Sequence, residues 1–259
     1  MGFVKTPEEI AAIEAVIRAP RFVNSEMLSV VASVPLAWLA EVIPAPLEPD
    51  GDSARFMVGR WQSNCVGNFT GGAVYLPARY TDSDGTVITG EYVLAMYMNS
   101  DSAILYGREV FGEPKRQAEI ELHRGVNHAV GTIRRNGVEI MRVSGSLDRD
   151  LGPSETSGAN FNIKAQPETS GAGLEFDPIL TLATFEVSLT AHREGSGAVA
   201  LASTPHDYLG DIPIGEIRSA IWQEGDLIPA TRQIATIPKA DFLPYFYARV
   251  DDYALLNTE

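Results

Sequence analysis

In the stretch GREVFGEPKRQAEIEL, residues 107–122, Lys115 and Arg116 stand side by side directly after Gly112-Glu113-Pro114. A lysine amine attacks a carbonyl carbon only when unprotonated. An ordinary lysine, with a pKa of about 10.4, is free amine less than roughly 0.1% of the time at neutral pH. Lowering such a pKa by about 3 units takes about 4 kcal/mol of selective destabilisation of the cation, through burial, a neighbouring cation or both. If the two residues share a strand, their side chains leave opposite faces. Charges about 8 Å apart then interact by about 2 kcal/mol at an effective dielectric of about 20. Desolvation must supply the rest, so Lys115 is expected to point into an apolar interior and Arg116 elsewhere. The plainer reading is two solvated strand cations paired with Glu113 or Glu119.

Other chemical motifs fail. No Gly-x-Ser-x-Gly elbow occurs, and His123, His128, His192 and His206 lack metal-ligand spacing. Residues 195–200, GSGAVA, nominally fit a dinucleotide fingerprint, but Pro205 follows too soon for the helix it needs, and the run reads as a hairpin turn. Cys65 is the only cysteine, which excludes an internal disulfide, and it is expected as a small packed hydrophobe within a strand. The formal net charge of -14 would repel nucleic acid and anionic membranes. Residues 1–20 show no apolar export core and no later stretch is apolar enough to span a bilayer, so a cytoplasmic protein is expected.

The elements that must position Lys115 follow from periodicity. Thr6-Pro7-Glu8-Glu9 is a capping box, and Ile10, Ile13 and Ile17 recur at helical spacing, so the chain opens with an amphipathic helix. MLSVVASV reads as a strand and PLAWLAEVIP as a short helix stopped by proline. Between Ala54 and Met98 three strand-like runs form a meander. SDSAILYGREVFG is a helix capped by Ser100 or Asp101 and ended by Gly112. Period-two runs follow, with Asn136-Gly137 marking a primed-type hairpin. The polar run between Asp150 and Asp177 is expected as a long connection with a buried middle at Phe161, Ile163 and Lys164. More strands and a terminal helix, LPYFYARVDDYALL, complete an α+β chain, residues 1–259, built as one domain on a closed or strongly curved antiparallel sheet with peripheral helices.

The stretch YGREVFGEPKRQAEIEL strongly resembles the signature of the acetoacetate decarboxylase superfamily: Gly-Arg-Glu, a short spacer, then Pro-Lys and a second basic residue. VIPAPLEPD followed by ARF, GEYVLAMYMNSDSAI, VGTI and LGDIPIGEI fall in family order, so the resemblance covers most of the chain. It implies an acetoacetate decarboxylase-like β-barrel that assembles into homo-oligomers. It also implies a nucleophilic Lys115 that forms a Schiff base with a ketone, with no cofactor beyond that covalent imine. Arg116 and Glu113 join Lys115 as the implied catalytic set, Glu113 facing solvent or shuttling protons. Arg108 and Glu109 complete the signature, as an ion pair orienting the turn or, for Arg108, as a substrate contact.

The chain departs from the family in ways that bear on substrate. Alignment on the family places Ser25 at its carboxylate-binding arginine, and Met57 and Gly71 at its two buried glutamates. The Thr70-Gly71-Gly72 run is expected either to open space there or to form a β-bulge. Arg21, Arg60 and Arg79 are candidate replacements for an anionic substrate group, with Tyr75, Gln62 and Gln117 as polar orienting groups. Met57, Phe69, Met96 and Met98 are expected to line an apolar interior, which core packing explains equally well. Decarboxylation of a 3-oxo acid ranks first, ahead of an aldolase-dehydratase that condenses a 2-oxo acid such as pyruvate with an aldehyde. A non-catalytic barrel that binds a small carbonyl compound is the third reading. The expected partner in each case is a small oxo acid or ketone.

Overall fold

Apolar-polar alternation broken by Gly, Asn and Asp turns keeps most of this chain extended. The computed structural model describes residues 2–249. Its strands are β1 (Phe22–Ser33), β2 (Glu48–Pro49), β3 (Ser53–Ser63), β4 (Gly67–Thr81), β5 (Val87–Met98) and β6 (Lys115–Gln117). They continue with β7 (Glu119–Arg124), β8 (His128–Arg135), β9 (Val138–Asp150), β10 (Ser154–Lys164), β11 (Ile179–Leu201) and β12 (Ile217–Thr236). The helices are α1 (Pro7–Arg18), α2 (Leu36–Val42), α3 (Asp101–Tyr106) and α4 (Lys239–Arg249), and a π-helical turn spans Gly107–Phe111.

Strands β10, β5, β4, β3, β1, β12 and β11 are neighbours in that order, and β10 pairs again with β11, so the sheet closes into a barrel. The long β11 serves two purposes. Its first part pairs with β10 and β12, while Arg193–Leu201 pairs with β9 and carries β9, β8 and β7 away as a second layer. That layer packs over β1, β3 and β4: a Cβ on Gly131 would collide with Val58, and one on Gly72 with Ile133. Period two then sorts β1 into two cores, with Leu28 and Val30 in the cluster that joins the layers and Met27 in the cluster inside the barrel.

The α+β barrel with peripheral helices is the fold read from the sequence. Local signals hold: Thr6 and Glu9 cap α1 reciprocally, Ser100 caps α3, and Asn136 and Gly137 take φ of 50° and 79° in the β8–β9 hairpin. Three expectations are corrected. Residues 154–164 form strand β10 and not a connection; their exposed first half has the polar composition of a loop because it faces solvent. Residues 195–200 lie inside β11 rather than in a hairpin turn. Cys65 sits half-buried in the β3–β4 turn, its Sγ 3.4 Å from the Val16 carbonyl, and not in a strand. The terminal helix runs from Lys239 to Arg249, and the rest of its expected span lies outside the described residues. Among the described residues no helix is long and apolar enough to cross a membrane.

Candidate active site

The approach to Lys115 is a chain of local constraints. Ser100 starts α3 by accepting from the Ala103 N–H, and the helix then widens into the π-helical turn. Gly112 closes that turn at φ 78°, a left-handed conformation that glycine adopts without strain, and the Glu113 N–H donates to the Gly107 carbonyl at 3.1 Å. Pro114 leads into β6, which pairs parallel to β5 with Lys115 opposite Met96 and Arg116 opposite Tyr97. Gly107 is required here by contact. A Cβ on it would stand 2.5 Å from both Cδ and Nζ of Lys115 and would strike the Glu113 carboxylate.

Lys115 points into the barrel and Arg116 points away. The Lys115 side chain is 8% exposed, its Nζ lies 2.7 Å from Oε2 of Glu113, and Glu113 is itself only 11% exposed. The amine also stands 5.9 Å from the Phe69 ring centroid. It borders a cavity of about 370 Å³ whose walls include Met57, Trp61, Phe69, Tyr75, Met96 and Met98. Glu113 therefore faces this interior and not solvent. On the other side of β6, Arg116 donates to the His206 carbonyl at 2.9 Å and to the Tyr97 hydroxyl at 3.1 Å, and lies 3.2 Å from the fully buried Asp207. Asp207 also lies 3.3 Å from Arg135 and accepts from the Tyr97 hydroxyl at 2.9 Å. Burial, countered by Arg116 and reinforced by Asp207, pushes the Tyr97 phenol well above its ordinary range. Arg116 thus shares the buried Asp207 carboxylate with Arg135, on the side of β6 away from Lys115.

Several residues singled out in the sequence lie elsewhere. Arg21 is exposed, and its backbone N–H bonds to the Asn64 side chain. Arg60 and Arg79 are exposed strand residues that pair with Glu26 and Glu48, both at 2.7 Å. Gln62 and Gln117 are exposed outside the cavity. Arg108 turns its guanidinium to the Lys115 carbonyl at 3.2 Å, so it braces the backbone of β6 and does not line the cavity, while Glu109 is exposed. Strand parity explains Arg60, which falls on the face of β3 opposite Met57, whereas Arg79 lies near the outer end of β4, beyond the cavity. Gly71 leaves no void, because a Cβ there would stand 2.5 Å from the Met98 Sδ and 3.1 Å from Trp61, whose side chains fill the space. The β3–β4 register runs unbroken past Gly71 and Gly72; the bulge falls between Val74 and Tyr75 in the β4–β5 pairing.

The cavity holds a second ion pair that sequence reading passed over. Arg55, two residues before Met57 on the same face of β3, donates Nε to Oε1 of Glu91 at 2.9 Å and Nη2 to Oε2 of the same carboxylate. Its Nη1 lies 3.4 Å from the Ser29 hydroxyl, and its guanidinium carbon sits 4.0 Å from the Tyr75 ring centroid. Burial opposes the Arg55 charge, but Glu91 and Tyr75 more than compensate and hold its pKa above the usual arginine value. Burial, with Arg55 opposing and Glu91 and Glu113 adding, pushes the Tyr75 phenol above its ordinary range, so it is a proton-bearing hydroxyl at neutral pH. The sequence did carry a signal: Arg55 lies between buried Ala54 and Phe56, a charge inside a strand covered on both faces.

Comparison with known proteins agrees with this architecture. The family model described as acetoacetate decarboxylase (ADC) matches residues 5–236. The acetoacetate decarboxylase of Acidiphilium cryptum is 28% identical over 209 residues, which cover 77% of this chain and 82% of that relative. The solved acetoacetate decarboxylase of Legionella pneumophila superposes with a TM-score of 0.75 at 20% identity, covering 84% of this chain and 88% of its own. The enduracididine biosynthesis enzyme MppR, complexed with the condensation product of pyruvate and imidazole 4-carboxaldehyde, superposes with a TM-score of 0.71 at 17% identity, covering 84% and 89%.

Proposed function

Because the chain belongs to the acetoacetate decarboxylase family, we propose that it is a lysine-dependent Schiff-base lyase that decarboxylates a 3-oxo acid. The observation that carries this reading is the Lys115 amine, buried in an apolar cavity with the Glu113 carboxylate 2.7 Å away. A proton passed from the ammonium to Glu113 leaves a free amine beside a neutral acid. The amine adds to the substrate ketone, and Glu113 returns the proton to the departing oxygen, so the products are an iminium on Lys115, water and a carboxylate on Glu113.

The bond to the carboxylate carbon then breaks, its electron pair moves into the iminium to give a neutral enamine, and carbon dioxide leaves. A carboxylate held against Met57, Met96 and Met98 loses its hydration, whereas the charge disappears in the products, so the apolar wall favours the step. Protonation of the enamine carbon and hydrolysis of the imine release the ketone and return Lys115. Tyr75, whose raised phenol keeps its proton in the same cavity, is a neutral hydrogen-bond donor for the substrate.

A second reading, condensation of a 2-oxo acid with an aldehyde followed by dehydration, is favoured by cavity size. About 370 Å³ exceeds what one short oxo acid fills. Assays of carbon dioxide release across 3-oxo acids, run beside enone formation from pyruvate and aldehydes, separate the two. Borohydride reduction in the presence of ketone followed by peptide mapping tests what they share. The expected result is an adduct on the Lys115 peptide, and labelling confined to Lys5, Lys164 or Lys239 would leave a barrel that binds without catalysis.

A further inference from the structure

The geometry points to a substrate whose reacting carbonyl is followed by an apolar chain ending in an uncharged hydrogen-bonding group, seated at the Arg55–Glu91 pair, with a second carboxylate rejected there. This rests on the reading of Lys115 as the carbonyl-binding amine.

The cavity has two levels. Lys115, Met96, Ala73 and Met57 are successive partners across β6, β5, β4 and β3 and define the first. Arg55 and Tyr75 are partners on β3 and β4 one step along the barrel, about 7 Å away at strand rise, and define the second. The far strands contribute the apolar Phe185, Val187, Ile221 and Leu227 to the wall, and β10 contributes the polar Thr156, Ser157 and Asn160. A four-carbon oxo acid held at Lys115 leaves the second level unfilled.

Charge decides what the second level accepts. Arg55 spends Nε and Nη2 on one carboxylate, so the pair is balanced, and Lys115 with Glu113 is balanced too. A carboxylate brought to the second level gains from Arg55 about what it loses to Glu91, so only hydrogen bonds to neutral donors are left to set against the large cost of desolvating a charge. The groups that remain for a ligand are neutral or already paired: the Ser29 hydroxyl, the Tyr75 phenol, the Gln223 amide, Arg55 Nη1 and the β10 side chains of Thr156, Ser157 and Asn160. An ester, amide, hydroxyl or ether end satisfies them. A tail bound there also supplies the binding energy that forces the reacting carboxylate against the apolar wall, as remote binding energy does in other enzymes.

The test uses ligands that lack a ketone, so it does not depend on imine chemistry. Calorimetric titration of the full-length protein with 3-hydroxybutyrate, 3-hydroxyadipate and the 6-methyl ester of 3-hydroxyadipate should give the ester at least tenfold tighter than either acid. In Glu91→Gln the Arg55 charge is released, and the preference between diacid and ester should reverse. Equal binding of ester and diacid by the wild-type protein overturns the inference even if the variant fails to fold, as does a folded variant with unchanged preference. If the ester preference holds while 3-oxo acids give a Lys115 adduct but no carbon dioxide, the decarboxylase reading fails and this one stands. If carbon dioxide is released equally fast from 3-oxoadipate and its 6-methyl ester, the reverse is true.

Discussion

Lys115 and Arg116 are consecutive in the chain and serve opposite faces of β6, one beside Glu113 in the cavity and the other 3.2 Å from the buried Asp207. The second basic residue of the signature therefore belongs to a closed charge cluster with Asp207, Arg135 and Tyr97 and is not exposed to the amine as a bare charge. Asp207→Asn should remove the buried carboxylate that Arg116 and Arg135 share and destabilise the fold by about 3–5 kcal/mol, read from denaturant unfolding. In the folded fraction the unmatched Arg116 should speed borohydride trapping at Lys115 by up to about tenfold at neutral pH. Unchanged stability would refute the cluster's role.

Glu113 is the only carboxylate that forms an ion pair with Lys115 among the described residues. Glu113→Gln should slow borohydride trapping of ketones on Lys115, because the variant lacks the group that takes the ammonium proton and returns it to the departing oxygen. Turnover should fall in step, by about 10²–10⁴-fold, the usual worth of a positioned acid-base group. If trapping is retained while turnover falls, Glu113 acts after the imine has formed and does not carry the amine's proton.

Gly107 lies directly beneath that pair, where a methyl group has no room. Gly107→Ala should cost about 1–3 kcal/mol of stability through overpacking. It should slow Lys115 trapping by about 10²-fold, the effect expected of a displacement near 1 Å. An alanine variant that traps ketone at the parental rate would mean that the amine approaches its substrate from a different position.

What was legible in the sequence is what short-range rules encode. The Thr6 box, the Ser100 cap and the Asn136-Gly137 turn are each fixed within a few residues, and the turn before Lys115 is a contiguous motif. Strand parity alone was enough to send Lys115 and Arg116 to opposite faces. The Arg55–Glu91 pair joins residues 36 apart and requires knowledge of which strands are neighbours, which periodicity does not supply. The same limit misplaced Gly71: the glycine was visible, but the Met98 side chain that fills its space comes from the facing position on β5.

The buried tyrosines impose a pH dependence with a definite sign. Burial, the first cause for each, raises the phenols of Tyr75, Tyr92 and Tyr97 above their ordinary value. Below a pH of about 10 the folded and unfolded chains both keep these protons and the term is absent. Above it the unfolded chain releases them while the folded chain holds them, so the unfolded state binds fewer protons and stability falls as pH rises. Each such tyrosine should steepen the fall by about 1.4 kcal/mol per pH unit until its own folded pKa is reached. Denaturant unfolding across this alkaline range, with tyrosinate absorbance followed in parallel, should show late-ionising phenols that titrate only as the protein unfolds. Tyr75→Phe should remove one such increment, and a slope identical to that of the parent protein would mean that the Tyr75 phenol ionises freely within the cavity.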